Sequence, residues 1–221
     1  MNFTTSSKRV KVRGSIPQTE DILLLVDFHE KPYLEEIWGS GGAFRAYISP
    51  LWYRSNEPVC QIATDIESPA DGDYAYIGTW FPLASSKNCR VVCLWRRATT
   101  AVDYIRFRCR HYDGSYFYDA CVRYAPSSGV WEYYDENGSW QTIGSQKLRI
   151  HARHLLEFSV DFNTGKYKKL VSAGEEFDLS AYSMYKAPST SDLATNLEIH
   201  VYSDGTGCAE ADIFWIYITE G

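Results

Sequence analysis

Hydrophobic and polar residues alternate in short runs along most of the chain, and helical spacing of hydrophobic residues is nearly absent. Because successive side chains of a strand point to opposite faces, this alternation predicts strands with one buried face each. Turn residues, mainly Gly, Asn, Asp and Pro, separate the runs, as is typical of sandwiches and barrels. The best helix candidate, residues 31–38, has room for roughly two turns at most. About thirteen strands are predicted, at 22–28, 43–49, 59–66, 74–80, 90–96, 104–111, 116–124, 130–134, 139–143, 155–162, 166–172, 197–203 and 211–219.

This set of strands predicts an all-β fold of two packed antiparallel sheets. A parallel sheet would need crossover helices between its strands, and the spacing of the runs leaves no room for them. The length of 221 residues suits one all-β domain. Since neither an internal repeat nor a linker is visible, we expect residues 1–221 to form a single domain.

One predicted hairpin, residues 107–124, is built around Asp113-Gly114. Asp-Gly is a favoured two-residue hairpin loop, because a type I′ turn needs positive φ at both positions. A loop at these two residues would place Arg108 opposite Asp119 and would separate two faces of the hairpin. The apolar face, which we expect in the core, holds Ile105, Phe107, Cys109, Tyr118, Ala120 and Val122. The opposite face holds Tyr104, Arg106, Arg108, Arg110, Phe117, Asp119 and Arg123.

The arginine row on this second face is a candidate ligand site. Arginine binds planar anions through two parallel hydrogen bonds, and aromatic rings stack on flat apolar surfaces such as sugar faces. We therefore expect a ligand that carries carboxylates, sulfates or many hydroxyls. The predicted ligand-binding residues are Trp95, Tyr104, Arg106, Arg108, Arg110, Phe117 and Asp119, and the platform would extend to Trp131, Tyr133 and Trp140. The alternative is a solvated face, on which exposed ion pairs contribute only about 0–1 kcal/mol each.

Two C-terminal segments carry a family resemblance. Residues 154–180 (HLLEFSVDFNTGKYKKLVSAGEEFDLS) contain a strand, a turn and a return strand, and residues 197–221 contain two long closing strands. The hairpin pattern D-x-x-T-G-x-Y of laminin-G-like modules is matched by Asp161, Thr164, Gly165 and Tyr167. The chain thereby resembles the concanavalin A-like lectin/glucanase superfamily. The resemblance implies a jelly-roll sandwich with one concave sheet but no particular activity, because such folds host lectins, hydrolases, lyases and adhesion modules.

Complete catalytic motifs are absent from the sequence. Glycosidases of the resembled superfamily use Glu-x-Asp-x-x-Glu on one strand, and here Glu176-Phe177-Asp178 and Glu210-Ala211-Asp212 lack the third acid. The run Gln61-Ile62-Ala63 lacks the histidine of the lyase motif Gln-Ile-His. We therefore expect a non-catalytic recognition module that binds carbohydrate through a concave sheet. The alternative is a glycan-cleaving enzyme, a hydrolase or lyase of the same fold, and the third hypothesis is a structural or protein-interaction domain.

The net charge and the apolar stretches of the sequence further limit the classes of partner that we expect. The net charge of −6 argues against nucleic acid as a partner, because binding nucleic acid requires a basic surface. No apolar run follows the basic N-terminal residues, so a secretory signal is not predicted. The longest apolar stretch, residues 22–26, is far too short to span a membrane. We expect no membrane partner and, by default, a cytoplasmic protein.

The six cysteines form no C-x-x-C pair, so we predict buried free thiols rather than a zinc site. Cys109 and Cys121 lie on opposite hairpin faces in the predicted register, which argues against a disulfide between them. We expect no cofactor. Calcium is the one metal that the Asp-containing turns at Asp71, Asp73 and Asp204 would suit, although ordinary turn chemistry explains these residues.

Overall fold

The computed structural model describes residues 22–27, 36–40, 45–49, 59–65, 67–81 and 87–220, and every structural statement below concerns these residues. None of them belongs to a helix of the length and apolar character that crossing a membrane requires. Their strands are β1 (Ile22–Asp27), β2 (Glu36–Gly39), β3 (Arg45–Ser49), β4 (Val59–Ala63), β5 (Asp71–Phe81), β6 (Asn88–Arg97), β7 (Val102–Tyr112), β8 (Tyr116–Ala125), β9 (Val130–Tyr134), β10 (Trp140–Ser145), β11 (His154–Asp161), β12 (Lys166–Ser172), β13 (Glu175–Asp178), β14 (Tyr185–Pro188), β15 (Ala194–Asp204) and β16 (Glu210–Thr219).

The strands form two antiparallel sheets, here named sheet A and sheet B. Sheet A runs in the order β13-β12-β11-β6-β16-β4-β3, and β1 pairs with β16 beside β4. Sheet B runs in the order β10-β9-β8-β7-β15-β5-β2, and β14 pairs with β8 beside β9. The prediction of an all-β, two-sheet antiparallel jelly-roll sandwich is confirmed.

Alternation along the strands buries one face of each sheet against the other. On β6 of sheet A, Cys93 and Trp95 are fully buried, and on β7 of sheet B so are Ile105 and Phe107. These side chains belong to one hydrophobic core that draws on both sheets. Complete burial of one large apolar side chain contributes about 1.5–3 kcal/mol, so the shared core holds the sheets together.

The cysteines are free thiols, as predicted, and all are buried except the half-buried Cys208. The Sγ atom of Cys89 in sheet A lies 3.8 Å from the Sγ atom of Cys109 in sheet B. Cys121 points to the other side of its hairpin, where its thiol donates to Asp119 Oδ1 at 3.2 Å. The predicted separation of Cys109 from Cys121 is therefore correct.

The hairpin that carries the laminin-G-like resemblance ties the two sheets together. Asp161 Oδ2 accepts the hydroxyl of Thr164 at 3.0 Å, and Gly165 adopts the left-handed conformation that closes the turn (φ 67°). Beyond the turn, Tyr167 of sheet A is fully buried and reaches the backbone of sheet B. Its hydroxyl accepts the N–H of Cys121 at 2.9 Å. The motif is therefore explained by turn and core chemistry.

Three short elements differ from the predicted set. Residues 36–39, part of the helix candidate 31–38, form strand β2 paired with β5, while residues 31–35 lie outside the described residues. Strands β13 and β14 have four residues each, too few for alternation to reveal them. Positions 28, 43–44 and 66 of the predicted strands also lie outside the described residues.

Candidate functional site

The face of sheet B that points away from the core is lined with charged and aromatic side chains. Strand β15 lies between β5 and β7, and its register places His200 opposite both Tyr76 and Arg106. Since Leu197, Ile199 and Val201 of β15 point into the core, the alternate residues point outward. This outer face of sheet B, as it is called below, comprises Tyr74, Tyr76, Trp80, Tyr104, Arg106, Arg108, Arg110, Tyr112, Phe117, Asp119, Cys121, Arg123, Asn196, Glu198, His200 and Tyr202.

The hairpin register differs from the prediction by two residues. Arg110, not Arg108, lies opposite Asp119, and the two-residue loop is Gly114-Ser115. Gly114 has a φ of 90°, and Asp113 Oδ1 accepts the N–H of Ser115 at 2.9 Å. Asp113 therefore stabilises the turn from the position just before the loop and is not one of the two loop residues. A shift of two residues leaves every side chain on its predicted face, because the side-chain period of a strand is two.

Arg108 lies at the centre of the outer face and bridges two carboxylates. Its Nε donates to Asp119 Oδ1 at 2.7 Å, and its Nη1 donates to Glu198 Oε2 at 3.3 Å. Arg110 donates a longer hydrogen bond to Asp119 Oδ2 at 3.4 Å. The predicted partnership of Arg108 with Asp119 is present, although it runs diagonally between β7 and β8. Both carboxylates are nearly inaccessible to solvent, so this is a buried ion-pair network and not a solvated face.

Glu198 and His200 form a second buried pair beside Arg108. His200 Nε2 donates to Glu198 Oε2 at 2.8 Å, and Asn196 donates to Glu198 Oε1 at 2.8 Å. Burial alone would raise the pKa of Glu198, but the hydrogen bond from His200 and the charge of Arg108 outweigh it and lower the pKa to about 2. Burial lowers the pKa of His200 to about 4 against the attraction of Glu198. At neutral pH Glu198 is thus charged and His200 is neutral.

Aromatic rings lie at both ends of this charged band. At one end, the rings of Tyr104 and Tyr202 stack with centroids 4.1 Å apart. At the other end, the ring of Tyr112 lies 6.2 Å from that of Trp80 and 6.0 Å from that of Phe117. Tyr112 follows Tyr104 by eight positions along β7, a distance of about 26 Å at the usual rise per strand residue. The face is therefore long enough to hold several units of a chain-like ligand.

The structure brings together six of the seven predicted ligand-binding residues and removes the seventh. Trp95 is fully buried, and its ring packs against Phe107 (5.6 Å) and His154 (5.5 Å). Its strand, β6, belongs to sheet A, so Trp95 faces the core from the opposite sheet, and the prediction that it binds ligand is wrong.

Of the three residues predicted to extend the aromatic platform, one lies beside the outer face and two lie in the core. Trp131 is fully buried and Tyr133 is nearly so, because both alternate inward on β9 and join the core. Trp140 is half-buried, and the guanidinium of Arg123 lies 4.1 Å from its ring centroid. Trp140 therefore borders the outer face near its Tyr104 end.

The sequence prediction missed the contribution of β15. Asn196, Glu198 and His200 alternate with apolar residues, so their outward position was visible in the sequence. Alternation does not show which strands are neighbours in a sheet. His200 contacts Arg106 although it follows Arg106 by 94 positions in the sequence. An even longer separation in sequence hid Tyr76, whose ring stacks on that of His200 with centroids 4.5 Å apart.

The acidic residues that partly match a glycosidase motif lie on sheet A. Asp212 is fully buried against Arg96, and burial raises its pKa. Burial and the neighbouring charge of Asp212 raise the pKa of Glu210 as well. Glu176 and Asp178 line a separate cavity of about 570 Å³ on sheet A. None of these acids belongs to the outer face of sheet B.

Two of the three aspartates considered for calcium, Asp73 and Asp204, serve as turn residues, and the third, Asp71, begins strand β5. Asp73 Oδ2 accepts the N–H of Ala70 at 2.9 Å, and Asp204 Oδ1 accepts the N–H of Thr206 at 2.9 Å. Within the part of the chain that the structure describes, no three His, Cys, Asp or Glu side chains are grouped so that they could hold a metal ion.

Comparisons with known proteins identify the fold. No family model matches the chain, and no curated protein matches its sequence. A carbohydrate esterase of the Shiga toxin-encoding bacteriophage phi24B has a similar structure, with a TM-score of 0.58 and 14% identity over 91% of this chain and 99% of that one. A β-glucanase of Bacillus licheniformis matches with a TM-score of 0.53 and 11% identity over 92% and 100% of the two chains. The lectin UEA-II, solved with galactose, matches with a TM-score of 0.53 and 11% identity over 91% and 99%. The chain therefore has a concanavalin A-like jelly-roll fold, which it shares with these three proteins.

Proposed function

We propose that the protein is a non-catalytic recognition module that binds carbohydrate on the outer face of sheet B. The observation that carries this proposal is the arrangement of that face, where a buried network centred on Arg108 lies between two groups of aromatic rings. Sugars present hydroxyls at their edges and apolar C–H groups on their faces. Fixed charged groups and aromatic rings on one surface match both features.

The similar structures support this class of ligand. Among the matched proteins, the lectin was solved with galactose, and the other two are named as a glucanase and a carbohydrate esterase. These proteins share the fold with this chain, but their sequence identities are low, so the residues of this chain and not its fold indicate the ligand. Those residues favour an extended glycan, because the outer face runs along the whole of β7.

The ionisation of Glu198 favours binding over catalysis. Hydrolysis of a glycosidic bond needs a carboxylic acid whose raised pKa lets it donate a proton to the leaving group. On the outer face of sheet B the pKa of Glu198 is lowered instead, to about 2, so this group is fully ionised. Among the described residues, Glu210 and Asp212 have a raised pKa but lie on the other sheet, where Asp212 is completely buried against Arg96. Burial also raises the pKa of Asp103, which lies at the start of β7 and outside the network of Arg108.

Trp80 offers the sharpest test of the face. Its side chain is 37% exposed, and its ring borders Tyr112 at the edge of the charged band. Replacement of one base-stacking aromatic residue costs about 1–3 kcal/mol in other ligand-binding surfaces. We expect Trp80→Ala to weaken binding on a glycan array, and in titration calorimetry with the best ligand, by about 5- to 150-fold. Arg108 is a poorer probe, since its removal would take away the cation that two buried carboxylates share and would destabilise the fold.

The matched control is Trp215→Ala on β16, whose half-buried indole stacks on Tyr217 on the outer side of sheet A. This variant should bind glycans like the wild type. Equal binding by wild type and Trp80→Ala, or equal losses in the two variants, would contradict the proposed site. Absence of binding to any glycan on the array would contradict the proposed function itself.

A further inference from the structure

Arg106 differs from the other arginines of the outer face in its partners. Arg108 and Arg110 share Asp119, and Arg123 Nε donates to Glu132 Oε2 at 2.6 Å. Arg106 forms no ion pair with any carboxylate in the described residues. Its Nη2 donates to His200 Nδ1 at 3.0 Å, and its guanidinium lies 5.2 Å from the ring centroid of Tyr202.

The neighbours of Arg106 do not neutralise its charge. His200 uses its one ring N–H to donate to Glu198, so its Nδ1 accepts from Arg106 as a neutral base. Arg123, directly opposite Arg106 on β8, is itself paired with Glu132. Within the described residues, the positive charge of Arg106 thus has no carboxylate partner.

The hydrogen-bonding capacity of Arg106 is also incomplete. Its Nε is shielded from solvent and has no hydrogen-bond partner. A buried donor without an acceptor costs about 1–3 kcal/mol, and more when the group is charged. Because Nε is closed to solvent, an added anion would reach this guanidinium through its Nη atoms.

We propose that Arg106 binds an anionic substituent of the glycan, the carboxylate of a uronic acid or a sulfate ester. This inference rests on the proposed function and deepens it by naming the class of sugar. Both anions match the planar fork of an arginine, which is the preferred partner for groups of this geometry.

The rings around Arg106 place the sugar itself. Tyr104 stacks on Tyr202, and Tyr76 stacks on His200, so aromatic surface lies on both sides of the guanidinium along the face. A sugar ring seated on these side chains would direct one substituent toward Arg106. The site therefore selects for an acidic unit at one position of the ligand and leaves the Trp80 end open to neutral sugars.

The test uses a glycan array on which acidic oligosaccharides are printed in pairs with their uncharged derivatives. Each uronate oligosaccharide stands beside its carboxyl methyl ester, and each sulfated oligosaccharide stands beside its desulfated form. Wild-type protein should bind the acidic member of a pair about 10- to 100-fold more tightly, the range for a hydrogen bond to a charged group. The pairs that show this preference distinguish carboxylate from sulfate.

Arg106→Gln should abolish the preference and leave weak, equal binding to both members of the pair. Arg106→Lys keeps the charge without the fork and should retain part of the preference, which covers the case in which Arg106→Gln does not fold. The control is Arg90→Gln, which makes the same change in net charge on sheet A, where Arg90 pairs with Glu157 at 2.8 Å. It should retain the full preference.

Three results would overturn the inference, and they are distinguishable from one another. Equal binding of both members of every pair by wild-type protein would reject the anion site while the proposed carbohydrate recognition stands. No binding to any printed glycan would reject both. A preference for acidic glycans that Arg106→Gln and Arg90→Gln reduce equally would reject Arg106 as its source.

Discussion

Two histidines of sheet B are neutral for the same reason, although they lie on opposite faces. His200 points to the outer face, whereas His111 points into the core and its Nδ1 shares a hydrogen bond with Thr195 Oγ1 at 2.9 Å. Burial lowers the pKa of His111 to about 4, and the charge of Lys87 adds to this effect against that of Asp113. Each site thus admits an imidazole and disfavours an imidazolium.

We expect this neutrality to make the protein acid-sensitive. Because the folded-state pKa of His111 lies below the ordinary value of 6.5, the unfolded chain binds more protons between pH 6.5 and pH 4. The contribution of His111 to stability is complete above pH 6.5 and falls, by roughly 1–3 kcal/mol, as the pH drops to 4. His111→Gln should flatten the dependence of melting temperature on pH in this window only in part, since His200 titrates there too. An unchanged slope in His111→Gln would contradict this prediction.

Among the elements, β8 has a divided edge that a side chain completes. Residues 122–125 pair with β9 and residues 116–119 pair with β14, which leaves Cys121 between two partner strands. The hydroxyl of Tyr167 crosses from sheet A and accepts the N–H of Cys121, and it lies 2.9 Å from the carbonyl oxygen of Tyr134. One phenol thus supplies the hydrogen bonds that a missing strand would have made.

Tyr167→Phe should therefore cost more stability than the loss of a surface hydroxyl. It leaves the buried N–H of Cys121 without an acceptor, a penalty of about 1–3 kcal/mol. Urea denaturation would measure the loss, and amide exchange at Cys121 should become faster. Tyr182→Phe is the control, since the Tyr182 side chain is 40% exposed. Equal stability of the two variants would show that the hydroxyl of Tyr167 is dispensable.

The elements that the sequence predicted well are those with long alternating runs. In β7 and β8 the inward and outward residues are as predicted, although the loop is Gly114-Ser115. Asp113-Gly114 is the sequence more often found in a two-residue hairpin loop. In the structure, however, the side chain of Asp113 accepts the backbone N–H groups of the turn. Side-chain and backbone hydrogen bonding compete at such positions, and the sequence alone does not show which of them prevails. Trp95 was misplaced because alternation gives the face of a strand and not the sheet to which the strand belongs.

At the scale of the whole molecule, aromatic side chains from both sheets meet in the core. Trp95 of sheet A packs against Phe107 and Tyr124 of sheet B, and Trp131 joins the same group through Tyr124. The order of strands within each sheet was not predictable, because β15 and β16 insert between strands that precede them by many residues. Local patterns constrain which face is apolar, while the pairing depends on the packing of the complete sandwich.

Replacement of Trp95 tests its reassignment from ligand site to core. Trp95→Ala should lose about 3–5 kcal/mol of unfolding free energy, the usual cost of truncating a buried Phe or Trp to Ala. Leu155→Ala, at a site 46% exposed, should stay within about 0.5 kcal/mol of wild type. Trp95→Phe should fold and bind glycans normally, since the indole N–H of Trp95 has no hydrogen-bond partner to lose. Impaired binding by a well-folded Trp95→Phe would return this residue to the site.

The central position of β15 in sheet B has a consequence for synthesis. His200 follows Arg106 by 94 residues, which a ribosome needs roughly 5–20 s to add. During that interval β5 and β7 have emerged without the strand that belongs between them, and the arginines of β7 have no Glu198 or His200 beside them. A nascent chain that stalls before β15 thus lacks one side of the network around Arg108, so the outer face of sheet B is complete only after β15 has been added.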